Sequence, residues 1–216
     1  AGAVRTGRVE RVAQRTGATT YSIEMLPQPA NGRRPVLALT PGVGDIDIAV
    51  ASELLEAGRT VANGFVTPER TTMIASTSRF FAMDEKVAMG DGRFDPDRLR
   101  KVIGENAREA MLLDMTALAQ QAGSIVNAVM LGAIAGSKRL PISIETFEAA
   151  IRADGKAVEG NLRGFRAGLD AVRAKAQTAP AVPPKKNAAA GLAALEQAAQ
   201  QFPSLAQPIV LEGMRR

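Results

Sequence analysis

The rhythm of apolar and polar positions changes about halfway along the chain. In the first half, short apolar runs bounded by turn residues alternate with helically spaced segments. From residue 115 onward nearly every segment repeats with the period of a helix. Residues 19–26 (TTYSIEML) carry β-branched and aromatic side chains and run into Pro27, Pro29, Asn31 and Gly32, which predicts a strand closed by a turn. A second strand is predicted over 34–40. The stretch Pro41-Gly42-Val43-Gly44-Asp45 then makes a loop, and 46–51 reads as a third, mostly buried strand. Ser52 is placed to N-cap a helix over 53–62, with Glu53 in its first turn and a stop at Asn63-Gly64.

Further strands are predicted over 71–76 and, shorter, over 79–83. After the loop 91–96, Asp95 followed by Pro96 matches an N-cap with proline at the first helical position, opening an amphipathic helix over 97–109 with Leu99, Val102, Ile103 and Ala107 on one face. Helices follow over 115–122, 124–135, 143–151 and 156–175, the third capped by a Ser143/Thr146 pair behind Pro141. Strand–helix alternation followed by helices alone predicts an α/β layered domain with a helical C-terminal section. Three prolines in the eleven residues 177–187 mark a linker, beyond which 188–201 reads as a helix and 205–211 as an apolar tail. The organisation expected is a domain over 1–175, a linker over 176–187 and a small, incomplete helical extension over 188–216.

Composition narrows the chemistry. The 216 residues contain no Cys and no His, which removes disulfides, thiolate-held clusters, the commonest metal ligands and every Ser-His or Cys-His nucleophile arrangement. Seven Phe, one Tyr and no Trp leave the core to small aliphatic side chains, which favours close helix–sheet packing. A net charge of +5 suggests nucleic acid at first sight, but the basic residues are interleaved with acidic ones and no aromatic stacking platform accompanies them, so no nucleic-acid partner is expected. No apolar run opens the chain, and the most apolar stretch, 122–136, is too short to span a bilayer. A cytoplasmic protein without a membrane partner is therefore expected.

Three motifs invite a functional reading. Gly42, Gly44 and Asp45 after an apolar run resemble a phosphate-binding turn. Such a turn needs a helix to open directly after its glycines, and here another strand is predicted, so a tight interstrand turn is the favoured reading. Asp45 and Asp47 share one side of a strand, as two cation ligands or, more simply, as a solvated strand end. The segment Gln14-Arg15-Thr16-Gly17-Ala18-Thr19-Thr20 gathers a guanidinium fork, an amide, three hydroxyls and a glycine just ahead of a strand. At a sheet edge that set can hold a carboxylate or phosphate, and the residues leave the binding and structural readings evenly matched.

The same segments resemble the gamma-type subunit family of 2-oxoacid:ferredoxin oxidoreductases. Val12-Ala13-Gln14-Arg15-Thr16-Gly17-Ala18 is similar to the family's Met-Ala-Gln-Arg-Gly-Gly segment, with Thr16 in place of the first glycine. Gly44-Asp45-Ile46-Asp47, Ala51-Ser52-Glu53-Leu54-Leu55-Glu56-Ala57-Gly58-Arg59, Thr67-Pro68-Glu69-Arg70-Thr71-Thr72 and Ile74-Ala75-Ser76-Thr77 follow in the order of the indolepyruvate oxidoreductase beta-subunit branch. The segments 127–132 and 159–168 resemble its late helices. The likeness runs from about residue 9 to 175. It departs at 1–11, where the family's Gly-Gly-Gln-Gly loop is not reproduced, and at 216, where this branch continues into a large extension, so an incomplete or divergent version is expected.

The resemblance implies a three-layer α/β/α domain that binds no cofactor itself. Its partner would be a subunit carrying thiamine diphosphate and iron–sulfur clusters, which passes electrons to ferredoxin and makes an acyl-coenzyme A. On that footing this chain completes the assembly and shapes access of substrate or coenzyme A to the thiamine site, being inactive alone and contributing no catalytic residue. Gln14, Arg15, Thr16 and Gly17 are the expected contacts. Two other classes stand beside it: an independent nucleotide-binding enzyme using Gly42, Gly44 and Asp45, and a purely structural module docking a partner through its helices.

Overall fold

The computed structural model describes residues 3–10, 19–26, 41–78, 95–178, 197–203, 206, 207 and 210. The chain divides into two compact units, Ala1–Thr178 and Ala179–Arg216. The predicted strands over 34–40 and 79–83, and most of the predicted linker and terminal helix, lie outside the described residues.

In the first unit β1 (Ala3–Glu10) and β2 (Thr19–Leu26) form an antiparallel two-stranded sheet, in register from Ala3 opposite Leu26 to Glu10 opposite Thr19. The pattern of 19–26 predicts β2 correctly. It does not predict β1, because Arg5, Gly7 and Arg8 break up any apolar run.

A second sheet is parallel, in the order β3 (Ile48–Ala51), β4 (Thr72–Ser76), β5 (Glu109–Leu113). The central strand β4 is buried at every position, as a parallel strand covered on both faces must be. On one face Ala49, Ala51, Met73 and Ala75 meet α1 (Leu54–Ala62) and α2 (Pro96–Asn106) through Leu54, Ala57 and Ile103. On the other, Ile74, Met111 and Leu113 meet α3 (Met115–Gln121), α4 (Val126–Gly136) and α6 (Val158–Thr178) through Met115, Ala119, Val129, Ala133 and Val172. The result is a three-layer α/β/α arrangement. α5 (Ile144–Asp154) lies on α6, where Ile151 and Phe147 join Leu162, Phe165 and Leu169 in a third cluster.

Helix ends follow their caps. The Asp95 carboxylate accepts from Asp97 N at 2.9 Å, with Pro96 opening α2. Ser143 Oγ accepts from Thr146 N at 3.3 Å to open α5. α1 departs from expectation. Its N-cap position is Glu53, not Ser52, and no side chain caps it; instead the Leu54 amide donates to the Ser78 carbonyl at 2.9 Å, so the loop leaving β4 does the capping. At its other end Gly64 takes φ +74°, the left-handed stop predicted for Asn63-Gly64.

The main correction concerns β5. The spacing of apolar residues carries the predicted helix to 109, and Glu-Ala-Met-Leu-Leu has helical rather than β propensity. Yet α2 ends at Asn106 and a strand begins at Glu109. The Arg108 amide donates to Thr71 O at 2.9 Å and the ladder continues beside β4, burying Met111 and Leu113. Pairing with a buried central strand outweighs a local preference worth at most about 1 kcal/mol over the whole scale. Likewise α6 runs on to Thr178, through the first residues of the predicted linker.

α5 is tied to α6 by Glu148, whose carboxylate receives Arg152 Nη2 at 3.0 Å and Arg166 Nε at 3.1 Å. Hydrogen bonds from Arg166 and then Arg152 hold this carboxyl below the usual range. A lowered folded-state value means that the group stabilises the fold above its unfolded value and that this contribution is lost as pH falls through the folded one. Thermal melts of Glu148→Gln and the parent chain are therefore expected to differ at pH 7 and converge below about pH 4.5, the ordinary glutamate value. A constant difference across that range would show that the ion pairs play no part.

Candidate functional site

Open parallel α/β sheets bind ligands outside the carboxyl ends of their strands. Here those ends bring together Ser52 and Glu53 after β3, Ser76, Thr77 and Ser78 at the end of β4, and Asp114 after β5. The Ser76 side chain is fully buried. Its hydroxyl shares a hydrogen bond with Ser78 Oγ at 2.7 Å and accepts from Ser78 N at 3.3 Å. Ser78 O in turn receives the first amide of α1, Thr77 N donates to Leu113 O at 2.8 Å, and Asp114 Oδ1 caps α3 by accepting from Ala117 N at 2.9 Å. The exits of β4 and β5 and the entry of α1 are thus laced into one rim of hydroxyls and carboxylates. Such a rim offers donors and acceptors to a polar ligand. Among the described residues no three His, Cys, Asp or Glu side chains are grouped to hold a metal ion.

The opposite, amino edge is built as a strut. Arg70 sets Nε 2.8 Å and Nη2 3.2 Å from the two Asp47 oxygens, and Nη1 pairs with Asp45. The Arg70 hydrogen bond holds the Asp47 carboxyl below the usual range, and Asp47 reciprocally raises the guanidinium. These groups are about half exposed or more, so each pair is worth roughly 0–1 kcal/mol; its effect is to fix geometry. Beneath them Thr71 is fully buried, its hydroxyl donating to Ile46 O at 2.8 Å and accepting from Thr67 N at 3.0 Å. Asp45 and Asp47 thus share a cationic partner within the chain, which was not foreseen. The signal was available: Asp47 and Arg70 stand just ahead of strands that turn out to be parallel neighbours, and such positions meet at one sheet edge.

The Gly42-Val43-Gly44-Asp45 turn closes on itself. Gly44 has φ +72°, its amide donates to Gly64 O at 3.0 Å, and the Asp45 amide donates to Gly42 O at 3.2 Å. The next helix opens only at Leu54. The Gly44 and Asp45 amides are therefore already engaged with backbone carbonyls. Gln14, Arg15, Thr16 and Gly17 lie between β1 and β2 in sequence, outside the described residues.

Two of the four segments that carry the resemblance in this region, 51–59 and 74–77, meet at the carboxyl rim; the other two, 44–47 and 67–72, meet at the strut. Ser78 completes the rim without having been singled out, and Asp114, which the sequence marks with Gln120 and Asn127 as a polar residue of the apolar stretch 112–135 in need of a partner, finds one in the Ala117 amide. Ser78 follows a predicted strand and was within reach of sequence reasoning, whereas Asp114 follows β5, whose sequence reads as helix.

Residues 2–171 match the family described as pyruvate ferredoxin/flavodoxin oxidoreductase. No curated protein and no solved structure matches the chain.

Proposed function

This chain belongs to the pyruvate ferredoxin/flavodoxin oxidoreductase family, and from that premise we propose that it is a gamma-type domain of an indolepyruvate-type 2-oxoacid:ferredoxin oxidoreductase. In this reading it works in the cytoplasm, completes the assembly, and shapes access of substrate or coenzyme A to a thiamine-diphosphate site on a partner that also carries the iron–sulfur clusters. The observation that carries the proposal is the extent of the family match, which spans nearly all of the first compact unit and takes in both sheets. The absence of Cys and His supports a division of labour in which clusters are held by another chain. No metal or cofactor is assigned to this one.

Within the proposal Arg15 presents a planar fork to a carboxylate or phosphate, Gln14 and Thr16 add hydrogen bonds, and Gly17 permits close approach of the backbone. A charge-assisted hydrogen bond is worth about 1.5–3 kcal/mol, so Arg15→Ala is expected to lower kcat/KM of the assembled enzyme roughly ten- to a hundredfold, with Arg15→Lys recovering only part.

The deciding experiment uses the chain as bait in its host, with mass spectrometry and cofactor analysis of what is recovered, followed by turnover of the recovered complex on indolepyruvate and on pyruvate. Recovery of a thiamine-diphosphate, iron–sulfur polypeptide with preference for indolepyruvate supports the proposal. A stable complex whose turnover ignores Arg15→Ala reduces the chain to a structural module. A chain recovered alone that binds nucleotide overturns the proposal.

A further inference from the structure

An open sheet ends in strands whose outward N–H and C=O groups invite pairing with another chain, and proteins block such edges with charge, especially lysine. Among the described residues β5 is one end of the β3–β4–β5 sheet. Its inward groups are identified by the ladder: the Leu113 carbonyl faces β4, where it accepts from Thr77 N at 2.8 Å. Strand alternation then turns Ala110 and Leu112 to the outer edge. On that side Lys175, near the end of α6 and 63 positions away in sequence, places Nζ 2.8 Å from the Leu112 carbonyl. At the start of the same strand Arg139 Nη2 holds Glu109 Oε2 at 2.7 Å. Lys175 as a residue is exposed, while partial burial holds its ammonium below the usual lysine range.

We propose that Lys175 is an edge guard: its ammonium occupies the acceptor that an incoming strand would need and sets a charge where that strand would lie. The inference does not depend on the oxidoreductase reading. It marks the β5 end of the sheet as closed, so that partners of this domain dock elsewhere.

The test uses the full chain, by size-exclusion chromatography with light scattering over a range of concentrations. Lys175→Ala is expected to show a concentration-dependent rise in mass to a dimer or larger, while Lys175→Arg keeps the parent's mass. Adding Ala110→Pro, at an outward N–H that the native ladder does not use, is expected to abolish the new association. A Lys175→Ala chain with the parent's mass at every concentration overturns the proposal, and so does association that survives Ala110→Pro. Hydrogen exchange on the parent chain is an independent check that needs no variant. The Ala110 and Leu112 amides are expected to exchange rapidly beside protected Met111, and protection of all three would mean that the edge is already paired and needs no guard.

Discussion

Gly132→Ala or Gly168→Ala is expected to cost about 3 kcal/mol or more and to lower Tm by roughly 6–12 °C. α4 and α6 cross backbone to backbone. A Cβ on Gly132 would stand 1.9 Å from the Phe165 carbonyl oxygen, and one on Gly168 would stand 2.0 Å from that of Val129. In an unobstructed helix alanine is better than glycine by about 1 kcal/mol, so the sign of the effect is set by whether the obstruction can yield. Here it is main chain on both sides, and no side-chain rotation relieves it. The helices must separate, which opens the packing of Val129 and Ala133 against the sheet side and of Phe165 and Leu169 against α5. Gly104 in α2 supplies the control: a Cβ there meets nothing within 4 Å, and Gly104→Ala is expected to gain about 0.5–1 kcal/mol. Melting curves of the three variants check both signs, and a loss below about 1 kcal/mol at Gly132 would mean that the crossing is looser than its geometry.

This crossing explains a compositional feature whose role could not be located from sequence. The scarcity of aromatic residues and the abundance of small ones predict close helix–sheet packing, not a crossing of two helices, since Gly132, Gly164 and Gly168 sit within segments whose apolar spacing is ordinary. Elements with local causes were legible. β2, β4, the Asp95 and Ser143 caps and the Gly64 stop all follow from residues within a few positions of the feature they create. What was illegible depends on partners distant in sequence. β5 is a strand because β4 lies beside it, α1 is capped by a carbonyl from the loop after β4, and Asp45 and Asp47 are paired by an arginine 23 residues or more downstream. The candidate site divides the same way. The segments were found by resemblance, but only the parallel order of β3, β4 and β5 sorts them between the carboxyl rim and the strut at the amino edge.

Phe165→Ala is expected to destabilise the chain by about 3–5 kcal/mol, lowering Tm by roughly 6–20 °C in one cooperative step. Phe165 is fully buried, and its ring lies 6.0 Å from that of Phe147 at a tilt of 33°, anchoring α5 on α6. The cooperativity follows from where α6 sits. The helix that carries Phe165, Leu162 and Leu169 into the α5 cluster also carries Val172 into the cluster formed with Ile74, Met111 and Leu113 of the sheet. Loosening one side of α6 therefore loosens its grip on the other, and the Gly132–Phe165 contact passes the displacement to α4. Far-ultraviolet circular dichroism and near-ultraviolet aromatic signals should report the same shifted midpoint, with Phe165→Leu recovering much of the loss. Were α5 instead to melt in a separate early step while the sheet kept its midpoint, the helical section would be an appendage on the α/β layers. The shared helix argues that the two form one folding unit.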